Sequence, residues 1–291
     1  RQITHPFTLE KGSPLSTVSA LMSTYEAEKV GNLTQSLESV FAQTRPPEQI
    51  VLVVDGPIPP AQESVIRDYC NDRRIADMTV LYLPEKGGLA AAMNAGLKVC
   101  AGDYIMRMDS DDICTLDRLE IQMRYALANP DVDIVSSWSE EFFEDGRASQ
   151  IKVSPVAHEH ITAALRWRNV LVHPTILAKS DALRAVNGYR SKFGMLEDYD
   201  LFVRLAMKGF RFHVIPKTLV RVRSGVQQGD RRGGLRYTLN EIAFRWECTR
   251  SGFLRLRQFM ATTSLYVVFR LSSGVMRKRL YAMARSERKA S

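Results

Sequence analysis

The sequence predicts an α/β protein: one mostly parallel sheet flanked by helices, with a helical C-terminal extension. Three observations carry this. Apolar runs without polar alternation, such as "QIVLVV" at 49–54, suit strands covered on both faces. Stretches of helical periodicity separate those runs, and alternating strand and helix makes a parallel sheet. The 291 residues, 45% hydrophobic and 25% charged, supply material for a large core.

The first strand is read from "STVSALM" (16–22), rich in Val and Leu. Over 23–44, Val30, Leu33, Leu37, Val40 and Phe41 recur at helical spacing until "RPP" breaks the pattern. The strand at 49–54 closes on the turn "DGPIPP". A helix near 61–72, a strand at 78–83, the turn "PEKGG" and a helix at 89–99 follow, and "DYIMRM" (103–108) is a fourth strand. The second half is less regular. It reads as a helix at 116–129 stopped by Pro130, a strand at 132–138, a helix at 158–167, a strand at 173–179 and a helix near 181–186. A helix at 197–209 ends on Gly209, a strand covers 210–215, and helices dominate from about 235.

In parallel sheets ligands bind beyond the carboxyl ends of strands. Asp55 and Asp109 both fall on that rim, and "MRMDSDDI" (106–113) brings Asp109, Asp111 and Asp112 together there. Two carboxylates ~4 Å apart repel by roughly 4 kcal/mol near a protein surface, so grouping three calls for a cation. Asp-x-Asp-Asp suits a hard divalent ion, Mg²⁺ or Mn²⁺, with phosphate oxygens completing its shell. The competing reading makes the acids turn and cap residues, with Asp112 capping the next helix. An EF-hand loop starting at Asp109 fails because its sixth position is Cys114 rather than Gly. A haloacid-dehalogenase-type phosphatase resembles Asp-x-Asp after a strand, but Asp112-Ile113 replaces its Gly-Thr and its motif belongs on the first strand.

Five segments, in order, resemble the family 2 inverting glycosyltransferases of the GT-A fold: "VSALMSTYEAEKVGNLTQSLESVFAQT", "QIVLVVDG", "GGLAAAMNAGL", "AGDYIMRMDSDD" and "EDYDLFVRL". The resemblance covers about residues 16–225, and "RMDSDD" is similar to the subgroup that builds bacterial capsule, exopolysaccharide and O-antigen units. It implies a Rossmann-like catalytic domain over 1–235, with a nucleotide-binding half at about 16–115 and an acceptor half at 116–235. Residues 236–291 form a basic helical region. It also implies that a UDP-sugar donor meets Ser23 and Tyr25 after the first strand, that Asp55 accepts from the uracil ring, and that Asn94 and Ser110 join the donor site. Asp109 and Asp111, with Asp112 nearby, would hold Mn²⁺ or Mg²⁺ on the diphosphate. Asp198 matches the catalytic base, supported by Glu197. The chemistry asks for these parts: a Lewis acid for the departing diphosphate and, on the opposite face of the sugar, a carboxylate for the acceptor's proton.

Alternatives accompany several residues. Asp198 also fits an acid favoured at a helix N-terminus, a role open to Asp200 as well. Relatives carry Arg where Met93 stands; Arg107 would compensate for it, or else snorkel from a strand end. Lys86 and Gly88 face the nucleotide or form a plain turn. His173 enters the sugar pocket or is a satisfied structural histidine. Arg223 replaces a His that reaches the metal in relatives, so a third ligand is not expected. The stretch 221–234 is a loop closing over phosphates or a solvated charge run.

Charge is uneven. Residues 250–291 carry ten Lys and Arg against Glu287 alone, so the net +8 belongs to the tail and the body is near neutral. A nucleic-acid partner is therefore not expected. The segment 253–271 is too interrupted by Arg to span a bilayer. With "VMRKRLYAMARSERK" it reads as amphipathic helices lying on an anionic membrane surface, or packing on the domain. Four scattered cysteines without CxxC pairing or a Cys/His cluster exclude a zinc ribbon and a disulfide framework, and fit a reducing compartment. Nothing reads as a signal peptide. The expectation is a transferase moving galactose or glucose from a UDP-sugar to a saccharide on a polyprenyl diphosphate, at the cytoplasmic face of the membrane. An Asp-cluster phosphohydrolase and a non-catalytic nucleotide-sugar-binding protein are the alternatives.

Overall fold

The computed structural model of this chain describes residues 16–72, 74, 77–224 and 235–271. The first half alternates as expected: β1 (Val18–Tyr25), α1 (Val30–Phe41), β2 (Gln49–Asp55), α2 (Pro60–Cys70), β3 (Asp77–Leu83), α3 (Leu89–Val99) and β4 (Tyr104–Arg107). Then come β5 (Ile113–Cys114), α4 (Arg118–Ala128), β6 (Ile134–Phe142), β7 (Gln150–Lys152) and α5 (His158–Leu165). A 3₁₀ turn at His173–Thr175 leads to β8 (Leu177–Lys179), α6 (Ser180–Ala185), α7 (Glu197–Met207) and β9 (Phe212–Arg223). Two helices follow, α8 (Leu235–Arg250) and α9 (Leu256–Leu271).

All strands join one sheet in the order β3-β2-β1-β4-β8-β6-β9-β5, with β7 beside β6. β1 to β4 run parallel, as do β6 and β9, while β8, β5 and β7 are antiparallel to their neighbours. Every residue of β2 is buried, which its unbroken apolar run required. The two faces build separate cores. Leu33, Leu37 and Phe41 of α1 pack with Ile66 and Met123 on one. Met93 and Leu97 of α3 join Phe202 and Leu205 of α7 on the other.

Register aligns the strand ends that matter. Tyr25 pairs with Asp55, and Leu21 with Arg107, so β1, β2 and β4 finish on the same rim, where the connecting loops carry the candidate site residues.

Four departures from the sequence reading have local causes. β1 continues to Tyr25, because the helical periodicity of 23–44 begins only at Val30. The strand expected over 173–179 is a 3₁₀ turn and three strand residues, since Pro174 has no N–H for a ladder. β6 runs on to Phe142. β9 continues past Pro216 to Arg223: the register steps from Ile215 opposite Ser137 to Thr218 opposite Trp138, so a bulge absorbs the exposed proline. Of the loop read over 221–234, residues 221–223 thus belong to β9, and 225–234 lie outside the described residues. So does the basic segment 275–289.

Candidate active site

Strand β4 ends at Arg107, and the chain turns at once through Asp109, Ser110, Asp111 and Asp112 into β5. Two elements fix this turn. Ser36 of α1 donates through Oγ to the Asp109 carbonyl at 2.6 Å. Arg223, the last residue of β9, donates its backbone N–H to Asp112 Oδ1 at 2.8 Å and its Nε to the Asp111 carbonyl at 2.9 Å. The same guanidinium pairs with Glu144 and donates to Gln35 at 3.0 Å. Arg223 therefore braces the acidic loop from behind.

The carboxylates of Asp109, Asp111 and Asp112 each offer an oxygen within 4.8 Å of the others. At that separation each ionised pair repels by roughly 3–4 kcal/mol at an effective dielectric of 20. Burial, then the charges of Asp109 and Glu28, push the Asp111 carboxyl up to about 7. Asp112 is 1% exposed, and burial followed by Asp109 and Asp111 raises it well above the usual range. Its Oδ2 is buried with no hydrogen-bond partner. Among the described residues one cation pairs with these acids: Arg107, also 1% exposed, pairs with Asp109. Burial disfavours its charge, and Asp109 more than restores it. Among the described residues, one arginine against three clustered acids leaves a net negative pocket with an orphaned carboxylate oxygen. A hard divalent cation with oxygen ligands fits that donor set.

The nucleotide side of the rim is built around Asp55. Its two carboxylate oxygens accept the N–H groups of Gly87 (2.7 Å) and Gly88 (2.9 Å), fixing the loop that opens α3. Gly88 holds φ +83°, and a Cβ on Gly87 would lie 2.8 Å from the Ala91 side chain. A carboxylate has further lone pairs, so Asp55 retains acceptor capacity. Lys86 lies over the Tyr25 ring at 4.9 Å and pairs with Glu26 at 3.0 Å, both on the surface. Ser23 sits on β1 opposite Val53. Ser110, nearly buried, donates to Glu28 at 3.2 Å.

One residue expected near the donor has another duty. Asn94 uses its whole amide on the backbone of Tyr189, donating to its carbonyl and accepting its N–H, both at 2.8 Å. Asn94 is thus a clamp joining α3 to the segment before α7. Met93 is fully buried in the core, so its side chain has no access to a diphosphate.

Helix α7 opens with Glu197, Asp198 and Asp200, and the structure separates them. Asp200 is buried and bound by Arg190 (Nε, 2.9 Å) and Arg204 (Nε, 2.7 Å); it is structural. Asp198 is partly exposed; its Oδ2 accepts from Asn169 at 2.9 Å and its Oδ1 from the Tyr199 N–H at 2.7 Å. Burial raises the carboxyl of Glu197, with Asp198 adding to it.

Tyr189 lies within electrostatic reach of both acidic groups. Its phenol is buried and raised by burial, and it feels the charges of Arg107, Asp198 and Asp109. Its hydroxyl bonds to His173 Nε2 at 2.8 Å. His173 is buried, and burial followed by Arg107 keeps it neutral; it serves as a structural histidine. Sequence reasoning missed Glu28, Tyr189, Asn169 and the bracing by Arg223, because each acts through a partner distant in sequence.

Comparison with known proteins accords with this geometry. The model of the family "Glycosyl transferase family 2" matches residues 19–184, from β1 into α6, which includes the acidic turn but stops short of Asp198. The amylovoran biosynthesis glycosyltransferase AmsE of Erwinia amylovora is 32% identical over 81% of this chain and 88% of its own. A UDP-Gal:alpha-D-GlcNAc-diphosphoundecaprenol beta-1,3-galactosyltransferase of Escherichia coli is 30% identical over 90% of this chain and 94% of its own. Among solved structures, the mannosyltransferase PcManGT of Pyrobaculum calidifontis, in complex with GDP-Man and Mn²⁺, superposes with a TM-score of 0.62 at 16% identity, covering 93% of this chain and 80% of its own. S. aureus TarS 1-349 in complex with UDP-GlcNAc gives 0.62 at 16% identity, over 80% and 66%. The structural likenesses speak for the fold alone, a GT-A-like α/β arrangement. The family match spans more than half of the sequence, and with it this chain belongs to glycosyl transferase family 2.

Proposed function

We propose that this glycosyltransferase moves a hexose, galactose or glucose, from a UDP-sugar to a saccharide carried on a polyprenyl diphosphate, inverting the anomeric centre, in the synthesis of a bacterial surface polysaccharide. The observation that carries the reading is the under-compensated acidic turn, and Asp198, partly exposed and held by Asn169, is the carboxylate we assign as base. Asp109, Asp111 and Asp112 would hold Mn²⁺ or Mg²⁺, which as a Lewis acid supplies charge stabilisation to the departing diphosphate.

The chain's own residues account for the rest. Asp55, Lys86 and Tyr25 form the wall that receives the nucleotide, with Ser23 and Ser110 beside it. Arg107 holds Asp109 in place. Asn169 and the Tyr199 N–H orient Asp198 so that a carboxylate oxygen accepts the acceptor hydroxyl's proton. Glu197, next in the first turn, supports that charge distribution. A single displacement, with the base opposite the leaving group, gives inversion. The galactosyl donor and the diphosphoundecaprenol acceptor in the name of the Escherichia coli relative support the substrate class.

The test is UDP release from a panel of UDP-sugars with Mn²⁺ and a polyprenyl-diphosphate saccharide. Asp198→Asn should lower transfer by roughly 10²–10⁴-fold while UDP binding persists. Full transfer by that variant would reject its role, and phosphate release from simple esters without UDP formation would favour a phosphohydrolase instead.

A further inference from the structure

The loop that leaves α5, residues 166–169, reads Arg-Trp-Arg-Asn, and the chemistry assigned above uses only its asparagine. Trp167 is 49% exposed, and Arg168 beside it is exposed. A single apolar side chain half in water is ordinary on a protein surface, but this loop is pinned at nearly every residue. The Leu165 carbonyl accepts from the Tyr199 hydroxyl, the Trp167 carbonyl from Arg245 of α8 at 3.3 Å, and the Val170 carbonyl from Ser154 Oγ. Arg166 lies over the Phe253 ring at 5.5 Å and donates to the Phe253 carbonyl at 3.4 Å. Asn169 is held at both ends of its amide: Oδ1 accepts the Leu171 N–H at 3.1 Å, and Nδ2 donates to Asp198 at 2.9 Å. The backbone is fixed while the Trp167 and Arg168 side chains reach solvent, which is the arrangement of a preorganised contact surface.

The chain sets that pair close to the candidate base. Two residues span at most ~7 Å, so the Trp167 backbone lies within that reach of Asn169, whose amide holds the Asp198 carboxylate. Met195, 47% exposed, stands three residues before Asp198 and supplies a second apolar surface within ~11 Å along the chain. A base takes its proton from the acceptor, so a surface that borders Asp198 is placed to meet the acceptor.

Charge points the same way. An acceptor carrying a diphosphate brings negative charge toward a carboxylate and needs cations on its path. Around α7, Arg190 and Arg204 close on Asp200, and Lys192 closes on Glu247. The segment 160–180 holds Arg166 and Arg168 and contains no Asp or Glu, so the loop beside Asn169 is positive.

We propose that Trp167 and Arg168 form the acceptor subsite, the indole stacking on the apolar face of a pyranose and the guanidinium meeting the diphosphate that links that sugar to its carrier. The C–H bonds on a pyranose face carry slight positive charge and suit the negative face of an aromatic ring. A planar guanidinium matches phosphate oxygens with two parallel hydrogen bonds. Stacking fixes the plane of the acceptor ring beside Asp198, so the pair selects which hydroxyl the base receives. This subsite rests on the diphosphate-linked acceptor of the proposed function.

The test is calorimetric titration of the full chain, with UDP and Mn²⁺ present to occupy the donor side. The probes are alkyl diphosphate esters of glucose, galactose and N-acetylglucosamine, and the matching alkyl glycosides without the diphosphate. The chain should bind at least one diphosphate probe, and more tightly than its glycoside. Trp167→Ala should weaken both by roughly five- to tenfold, and Trp167→Phe should recover most of the loss. Arg168→Gln should weaken the diphosphate probe alone, by roughly tenfold. UDP affinity and melting temperature should keep their wild-type values in all three variants. A wild-type chain that binds no probe overturns the subsite, as does undiminished binding by Trp167→Ala. Equal loss on both probe classes in Arg168→Gln also overturns it, because the arginine would then shape the loop rather than meet the diphosphate. If Trp167→Ala instead breaks a wild-type dimer and leaves probe binding intact, the tryptophan is a self-association contact and the proposal falls. Failure of the sugar-transfer reading would look different: UDP release would not respond to any acceptor, while probe binding and its dependence on Trp167 would persist.

Discussion

Replacing Asp111 by Asn should make the metal-free protein more stable. The Asp111 carboxyl is pushed up to about 7, from 3.8, chiefly by burial and then by Asp109 and Glu28. A rise of about three units corresponds to a ceiling of roughly 4 kcal/mol at 1.36 kcal/mol per unit. Relaxation and water access reduce this to about 2 kcal/mol, or a melting shift of ~4–8 °C in a chain of this size. The folded state binds this proton more tightly than the unfolded chain does. The stability linked to it is therefore complete below pH ~4 and lost as pH rises through ~7. In EDTA, wild type and Asp111→Asn should melt alike near pH 4 and diverge by pH 8, the variant higher. Mn²⁺ at 100-fold its dissociation constant should add ~2.7 kcal/mol to wild type and little to the variant. Melting by circular dichroism at both pH values, with and without Mn²⁺, reads all four states. A variant that melts at or below wild type in EDTA at pH 8, or gains as much from Mn²⁺, would refute the argument that the cluster is held against repulsion to receive a cation.

Other substitutions test the supports of the site. Asp200→Asn leaves Arg190 and Arg204 without a buried partner and should cost ~3–5 kcal/mol in urea unfolding; an unchanged midpoint would show that this triad does not hold α7. Asn94→Ala strips both hydrogen bonds from the Tyr189 backbone, for a loss of ~1–3 kcal/mol per unsatisfied group, and loosened hydrogen-exchange protection at Tyr189 is the accompanying sign. Gly102→Ala would set a Cβ 2.5 Å from Ser19 N and 2.8 Å from the Val18 carbonyl carbon. Backbone cannot yield as a side-chain end does, so ~1–3 kcal/mol or more should be lost, measured by guanidinium midpoint; wild-type stability would mean that β1 and β4 shift freely.

The legible part of the fold was the part written in local periodicity. α3 fell on residues 89–99 because its apolar spacing is clean and Gly88, at φ +83°, opens it. β2 was plain from an unbroken apolar run. β9 was cut short because Pro216 looks like a stop, and only pairing with β6 supplies the bulge that carries the strand on to Arg223. β5 and β7, two and three residues long, have no periodicity to detect. In the site, the acidic turn was legible because three clustered carboxylates are costly wherever they fold. Asn94 and His173 could not be sorted from sequence, since their partner, Tyr189, is 95 and 16 residues away.

By itself the sequence determined that strands and helices alternate into a largely parallel sheet, and that the fourth strand delivers Asp109, Asp111 and Asp112 to its carboxyl rim. Those features depend on neighbours a few residues apart, which is the range over which periodicity and like-charge repulsion act. Tertiary structure alone decided the fate of two aspartates separated by one tyrosine: Asp200 fell among Arg190 and Arg204 in the core, and Asp198 was held by Asn169 and left partly exposed. Their chemistry is identical in the chain, and only the partners folding brings to each make one a buried strut and leave the other partly exposed, the carboxylate proposed here as the base.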